Sequence, residues 1–213
     1  MTNVLVLGAA GHIAKFARQD LLDNSDVKIT DYLRRANRLQ VINADRESVI
    51  EGDTTDQPTL EKALKNIDIV YANLAGSNIE QQAKSIVATM DKQQVKRLIW
   101  ISTLGIYDEV PGEFGKWNHS MLDGGYLQTY GAAAKVLETS DLDYTIIRPA
   151  WLSNNDEVDY ELTQKGEPFK GTEVSRKSIG VLVSRLIQKP TTEIKSSLGV
   201  NKPNTDGNKP AWY

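Results

Sequence analysis

A chain of 213 residues with a net charge of -3 and no Lys/Arg run longer than two residues lacks the basic footprint of a phosphate-backbone binder, which excludes nucleic acid as an expected partner. Cysteine is absent, so disulfides and thiolate metal sites are excluded, no metal site is expected, and a reducing compartment is compatible. Apolar residues at 40% and charged residues at 25% match an ordinary soluble domain long enough for one sizeable core.

The N-terminal Met-Thr-Asn lacks the basic flank and long apolar stretch of a signal peptide. No apolar segment approaches the ~18 residues that span a bilayer. The expectation is a cytoplasmic protein with no membrane partner. Val4-Leu5-Val6-Leu7 then reads as a strand buried on both faces and stopped at Gly8. Ile13 to Leu22 places Ile13, Phe16, Ala17 and Leu21 at helical spacing. Val27 to Leu33 and Ser48 to Glu51 read as the second and third strands, with a helix opened by Pro58 after them. Ile67 to Leu74 is the fourth strand, Gln81 to Met90 a helix, and Lys96 to Ser102 the fifth strand.

Strands alternating with helices predict a parallel sheet with helices on both faces, an α/β doubly wound fold. Beyond the fifth strand the rhythm loosens. Residues 105–125 carry Pro111, Gly112 and Gly115 among polar residues, and the expectation is a long functional loop in which Trp117 and His119 are lid candidates. Tyr126 to Ser140 reads as a helix and Tyr144 to Ile147 as a sixth strand, closed by Arg148-Pro149. Residues 151–172 read as irregular, Ser178 to Ile187 as a helix, Leu198-Gly199-Val200 as a last short strand, and the tail from Lys202 as irregular. The expected organisation is one domain over 1–213, with 151–213 a small irregular C-terminal part carrying substrate-side loops.

Gly8-Ala9-Ala10-Gly11-His12-Ile13-Ala14 follows a strand and opens a helix, the context a dinucleotide phosphate loop needs. Gly8 permits the tight turn and Gly11 the close approach of backbone to a pyrophosphate. Ala14 stands where a third glycine would allow helix–sheet packing. Free amides at the helix start, from Ala10 through Ile13, would face the phosphates. His12 either touches a phosphate or faces solvent. The second strand decides the nucleotide. If it ends at Leu33, Arg34 and Arg35 meet a 2′-phosphate and NADP is favoured over NAD. If it ends at Thr30, Asp31 takes a ribose hydroxyl and NAD is favoured. The first register is preferred. Asp53, followed by Thr54, either accepts from the adenine amino group or caps the next turn. Leu74-Ala75-Gly76 ends the fourth strand with small residues that let backbone lie against the cofactor.

Taken in order, Gly8-Ala-Ala-Gly11, Gly52-Asp53, Ala72-Asn-Leu-Ala-Gly76, Val95 to Ser102, Leu142 to Pro149 and Val174 to Ile179 resemble the atypical short-chain dehydrogenases/reductases. The similarity is to their NmrA-like, NAD(P)H-binding members, including the flavin/biliverdin reductase type. The resemblance implies a Rossmann sheet of about seven mostly parallel strands that binds NAD(P)H. Pro149, Ala150 and Trp151, at the close of the sixth strand, are expected on the cofactor side, and Trp151 either walls a planar acceptor or is a packed hydrophobic residue.

In the wider superfamily a Ser/Thr, a Tyr and a Lys four residues after it carry catalysis, the Tyr as acid/base and the Lys lowering its pKa and holding the nicotinamide ribose. By this resemblance Ser102 and Thr103 match the hydroxyl, Ser102 also lying beside the cofactor, and Lys135 matches the lysine. Four residues before Lys135 stands Gly131, not tyrosine. Tyr130 lies about 140° from Lys135 around a helix, and Tyr126 about opposite. Tyr107 is a loop alternative. Without that phenol, the reading favours hydride transfer from NADPH to a small conjugated acceptor such as a flavin or quinone, which delocalises charge. The alternative is a non-enzymatic NAD(P)-binding redox sensor. A sugar-epimerase reading is disfavoured by the short chain after the sixth strand. The substrate is a small molecule, and the sequence assigns no oligomeric state.

Overall fold

Val4 to Leu7 is apolar without interruption and fully buried, as a strand covered on both faces requires. The structure, a computed structural model, describes residues 1–122 and 124–213. In it this strand, β1 (Asn3–Leu7), lies inside a sheet of eight. It pairs in parallel with β2 (Lys28–Leu33) on one side and β4 (Ile69–Ala72) on the other. β3 (Glu47–Glu51) extends the sheet beyond β2, and β5 (Arg97–Ile101) and β6 (Asp143–Pro149) extend it beyond β4, all in parallel. Beyond β6 come β10 (Ser196–Asn201), parallel, and β8 (Glu161–Thr163), antiparallel. A separate two-stranded ribbon joins β7 (Trp151–Ser153) to β9 (Glu173–Ser175). The strand order reverses between β1 and β4, the switch point at which open α/β sheets bind ligands.

Helices cover both faces. On one lie α1 (His12–Asn24) and α6 (Arg176–Gln188), over a core that includes Val4, Val6, Ile29, Ile99 and Ile147. Gly180 lets these helices close up, because a Cβ there would stand 2.5 Å from the Cβ of Phe16. On the other face α2 (Gln57–Ala63), α3 (Ile79–Gln93) and α5 (Tyr126–Glu138) cover Leu5, Leu7, Val70, Leu98 and Trp100. The alternating strand residues of the two cores follow the two-residue period of a pleated strand.

Two expectations are corrected. Residues 112–122 do not form a loop: they fold as α4 (Gly112–Leu122). Phe114, Gly115 and Asn118 are its buried face, and the polar composition hides that spacing. Gly115 is required because a Cβ would meet the Val110 carbonyl oxygen at 2.0 Å. The rest of the expected loop includes Asp123, which lies outside the described residues. Residues 151–172 are also not wholly irregular, since β7 and β8 form where β9 and β10 offer unpaired edges. The sheet thus has eight strands rather than about seven, the eighth being the three-residue β8. No helix among the described residues is long and apolar enough to cross a membrane.

Candidate functional site

The turn after β1 is shaped by what side chains cannot occupy. Gly8 has φ +77°, and a Cβ there would stand 2.2 Å from the Asn73 carbonyl oxygen. At Gly11 a Cβ would stand 2.0 Å from Asn73 Nδ2. β4 therefore presses its last turn against this corner, and two hydrogen side chains make the room. α1 begins at His12, and its first hydrogen bond back to the turn runs from Lys15 N to Gly11 O. The N–H groups of His12, Ile13 and Ala14 precede that bond and remain for a ligand. His12 is exposed on the lip of the cleft, whereas the Ile13 side chain is core, so only its amide can serve.

The cleft above this corner has a volume of about 300 Å³ and is lined by Gly8, Ala10, Gly11, Asp53, Leu74 and Ala75, among others. Thr54 lines it too, with its hydroxyl donating to Gln82 Oε1 at 3.0 Å. Gly76 does not line it. The floor is neutral backbone, but the far wall carries Arg34, Arg35 and Arg38, all exposed. Arg38 ends a short 3₁₀ turn, Ala36–Arg38, whose first amide donates to Glu51 Oε2 at 2.8 Å. Sequence reading stopped at Arg35; three arginines within five residues were the available signal for Arg38.

β2 ends at Leu33, which leaves Arg34 at the sheet edge. Asp31 is not at that edge. It is fully buried beside Arg18 of α1, whose Nε lies 2.9 Å from Asp31 Oδ1 while donating to Glu47 Oε1 at 3.0 Å. Burial, which outweighs the attraction of Arg18, pushes the Asp31 carboxyl up to about 7. Asp53 keeps its charge: hydrogen bonds from the Thr55 hydroxyl and N–H, with a smaller pull from Arg34, hold its carboxyl below the usual range. It shapes the turn before α2, and the N-cap position falls to Asp56.

A second cavity, about 330 Å³, opens beyond the carboxyl ends of β5 and β6. Thr103 and Ala150 form its base and Trp151, Tyr126, Trp212 and Tyr213 its aromatic wall. Trp151 is held by a hydrogen bond from its Nε1 to Asn118 Oδ1 at 2.9 Å. Trp117 packs against Trp151 and Tyr213 with ring centroids 4.7 and 5.0 Å away. Ala150 and Trp151, expected on the cofactor side, line this cavity rather than the arginine cleft, and Pro149 is buried in β6 and lines neither. Ser102 is buried, and its hydroxyl has no hydrogen-bond partner among the described residues. A buried hydroxyl in that state is completed by a ligand oxygen or by water.

Tyr126 is the phenol that reading backwards from Lys135 does not reach. Gly124 and Gly125, at φ +104° and +102°, deliver it to the first turn of α5, where it is 44% exposed and lines the cavity with Thr103. Its ring stacks on Tyr130, one helical turn on, with centroids 4.5 Å apart. Burial first, then the proximity of Tyr126, holds the Tyr130 phenol well above its ordinary value. The residue four positions after Tyr126 is thus tyrosine where the resemblance implies lysine.

Lys135 is not brought to this place. Nine residues separate it from Tyr126, which puts it about 180° around the helix and ~13 Å along it. It is exposed and lines neither cavity. Tyr107 is also elsewhere: its hydroxyl donates to Glu138 Oε1 at 2.5 Å, beneath Arg148. His119 lies 3.4 Å from Asp108. Among the described residues no cluster of His, Asp or Glu could hold a metal ion.

Comparison with known proteins bears on the family and the fold. Residues 8–190 match the model of the NAD(P)H-binding family. A Rossmann-fold NAD(P)-binding family protein from Shigella flexneri is 40% identical, with 99% of this chain and 98% of that one covered and a TM-score of 0.86. A short-chain dehydrogenase/reductase (wide type) from Veillonella parvula DSM 2008, solved in complex with NADP, is 32% identical over 99% of each chain, with a TM-score of 0.91. Phenylcoumaran benzylic ether reductase PT1 of Pinus taeda is 25% identical over 122 residues, 54% of this chain, and the match spans only 36% of that reductase.

Proposed function

Because this chain belongs to the NAD(P)H-binding family, with a Rossmann fold, we propose that it is an NADPH-dependent reductase of a small planar conjugated acceptor, such as a flavin or a quinone. The observation that carries this reading is the aromatic cavity at the β5–β6 edge, on the same carboxyl edge of the sheet as the glycine corner. A dinucleotide fits the first cleft: the corner has space that a Cβ would fill, and it faces three arginines.

The amides of residues 12–14 would hold the pyrophosphate. Arg34, Arg35 and Arg38 would meet a 2′-phosphate, which NADPH carries and NADH lacks. When bound, NADPH supplies a hydride. Trp151 and the other aromatic rings stack a flat acceptor and exclude water from it. Thr103 or Ser102 donates to an acceptor oxygen, and Tyr126 delivers the proton. A conjugated acceptor spreads its developing charge, so a phenol without a lysine beside it suffices.

The test is NADPH oxidation followed at 340 nm with a panel of flavins and quinones. Acceptor-dependent oxidation above the buffer rate is expected. Tyr130, in place of a lysine that would hold the nicotinamide ribose, favours a second reading as a redox sensor. Tight NADPH binding with no turnover of any acceptor would decide for the sensor.

A further inference from the structure

The aromatic cavity has one charged side chain among its described lining residues, Arg176 at the first position of α6. Its hydrogen-bond partners are neutral. Nη1 donates to the Leu152 carbonyl oxygen at 3.0 Å and to Asn154 Oδ1 at 2.8 Å. Among the described residues it makes no ion pair. Carboxylates are not scarce nearby. Asp156 is taken by Lys177 at 2.6 Å, and Glu157 by Lys202 at 2.6 Å. The neighbouring lysines are neutralised and the arginine facing the cavity is not.

Both of its hydrogen bonds leave from Nη1, so the Nη2–Nε edge of the guanidinium remains open. That edge is a planar fork with the spacing of two carboxylate oxygens. Leu152, which fixes Nη1, itself lines the cavity, so the fork is held at the wall rather than swinging in solvent. Partial burial disfavours its charged form, a cost that an incoming anion offsets.

Resting on the reductase reading for the site's role, we infer that Arg176 anchors a carboxylate on the edge of the acceptor, so that the substrate class is planar conjugated carboxylates. A single fork suits a carboxylate, in contrast to the three arginines of the nucleotide cleft. The aromatic wall takes the ring system and Arg176 fixes its orientation against Thr103 and Tyr126.

Calorimetric titration of the NADP-saturated full chain with 2-naphthoate and 2-naphthamide tests this without turnover. The naphthoate is expected to bind about tenfold more tightly or better, as a charge-assisted fork should give. Arg176→Gln is expected to bring that ratio to about one while the amide and NADPH bind as before. Equal affinities in the wild type, or a preference that survives Arg176→Gln, would overturn the assignment. Should Arg176→Gln fail to fold, salt dependence in the wild type decides. Only the naphthoate should weaken as salt rises, and a salt-independent preference overturns the anchor. The two readings separate cleanly. Turnover of neutral quinones with no carboxylate preference sinks the anchor alone, whereas Arg176-dependent naphthoate binding with no turnover sinks the reductase alone.

Discussion

The nucleotide cleft and the aromatic cavity lie on one sheet edge but are made in opposite ways. The cleft's floor is backbone: its key residues are those whose side chains are missing, and they follow one strand directly. The aromatic cavity is made of side chains from five distant segments, around residues 103, 126, 151, 176 and 213. A backbone site should be intolerant of added atoms, and a side-chain site should be sensitive to removed ones.

Gly8→Ala tests the first half most severely. The left-handed φ and the Asn73 carbonyl at 2.2 Å both oppose a methyl group. NADPH affinity should fall by about a thousandfold, with a lowered Tm. The same substitution at Gly124 carries the positive-φ strain (φ +104°) without the clash, since its added Cβ would meet nothing within 4 Å, so Tm should fall there too while NADPH binding stays nearly unchanged. Equal losses at the two glycines would erase the distinction.

Arg34→Ala comes next. Removing a charge from the 2′-phosphate wall should weaken NADPH about a hundredfold and NADH hardly at all. Parallel losses for both nucleotides would take Arg34 off the 2′-phosphate.

Tyr126→Phe should lower kcat for a quinone about tenfold with KM little changed, less than a full general acid provides because the acceptor delocalises charge. Lys135→Ala should leave kcat alone. The reverse pattern would return the lysine to the site.

Asp31→Asn should have the smallest effect, on the slope of stability with pH. Asp31 titrates near 7 in the folded protein against an ordinary 3.8, so the folded state holds its proton more tightly than the unfolded chain does. Stability should therefore fall as pH rises from about 4 to about 7 and level off above that. Denaturant titrations across that range should show a flatter profile in the Asn variant. An unchanged slope would remove Asp31 as its source.

The contrast also explains what the sequence made legible. Gly8, Gly11 and the end of β2 are readable because tight turns and close backbone approach demand particular residues at fixed offsets. α4 is hidden because its Gly content and the preceding Pro111 argue for loop, while Trp151, which holds Asn118, lies elsewhere in the chain. Tyr126 is not legible from spacing to Lys135, because that lysine lies on the far side of the same helix. The meeting of Arg176, Trp212 and Tyr213 in one cavity depends on the fold bringing distant segments together, which local pattern does not encode.

The most direct measurement is calorimetric titration of the wild-type chain with NADPH and with NADH. A cleft with an amide-lined corner and an arginine wall should bind NADPH at least about a hundredfold more tightly than NADH. Equal affinity, or no heat from either nucleotide at millimolar concentration, would contradict it.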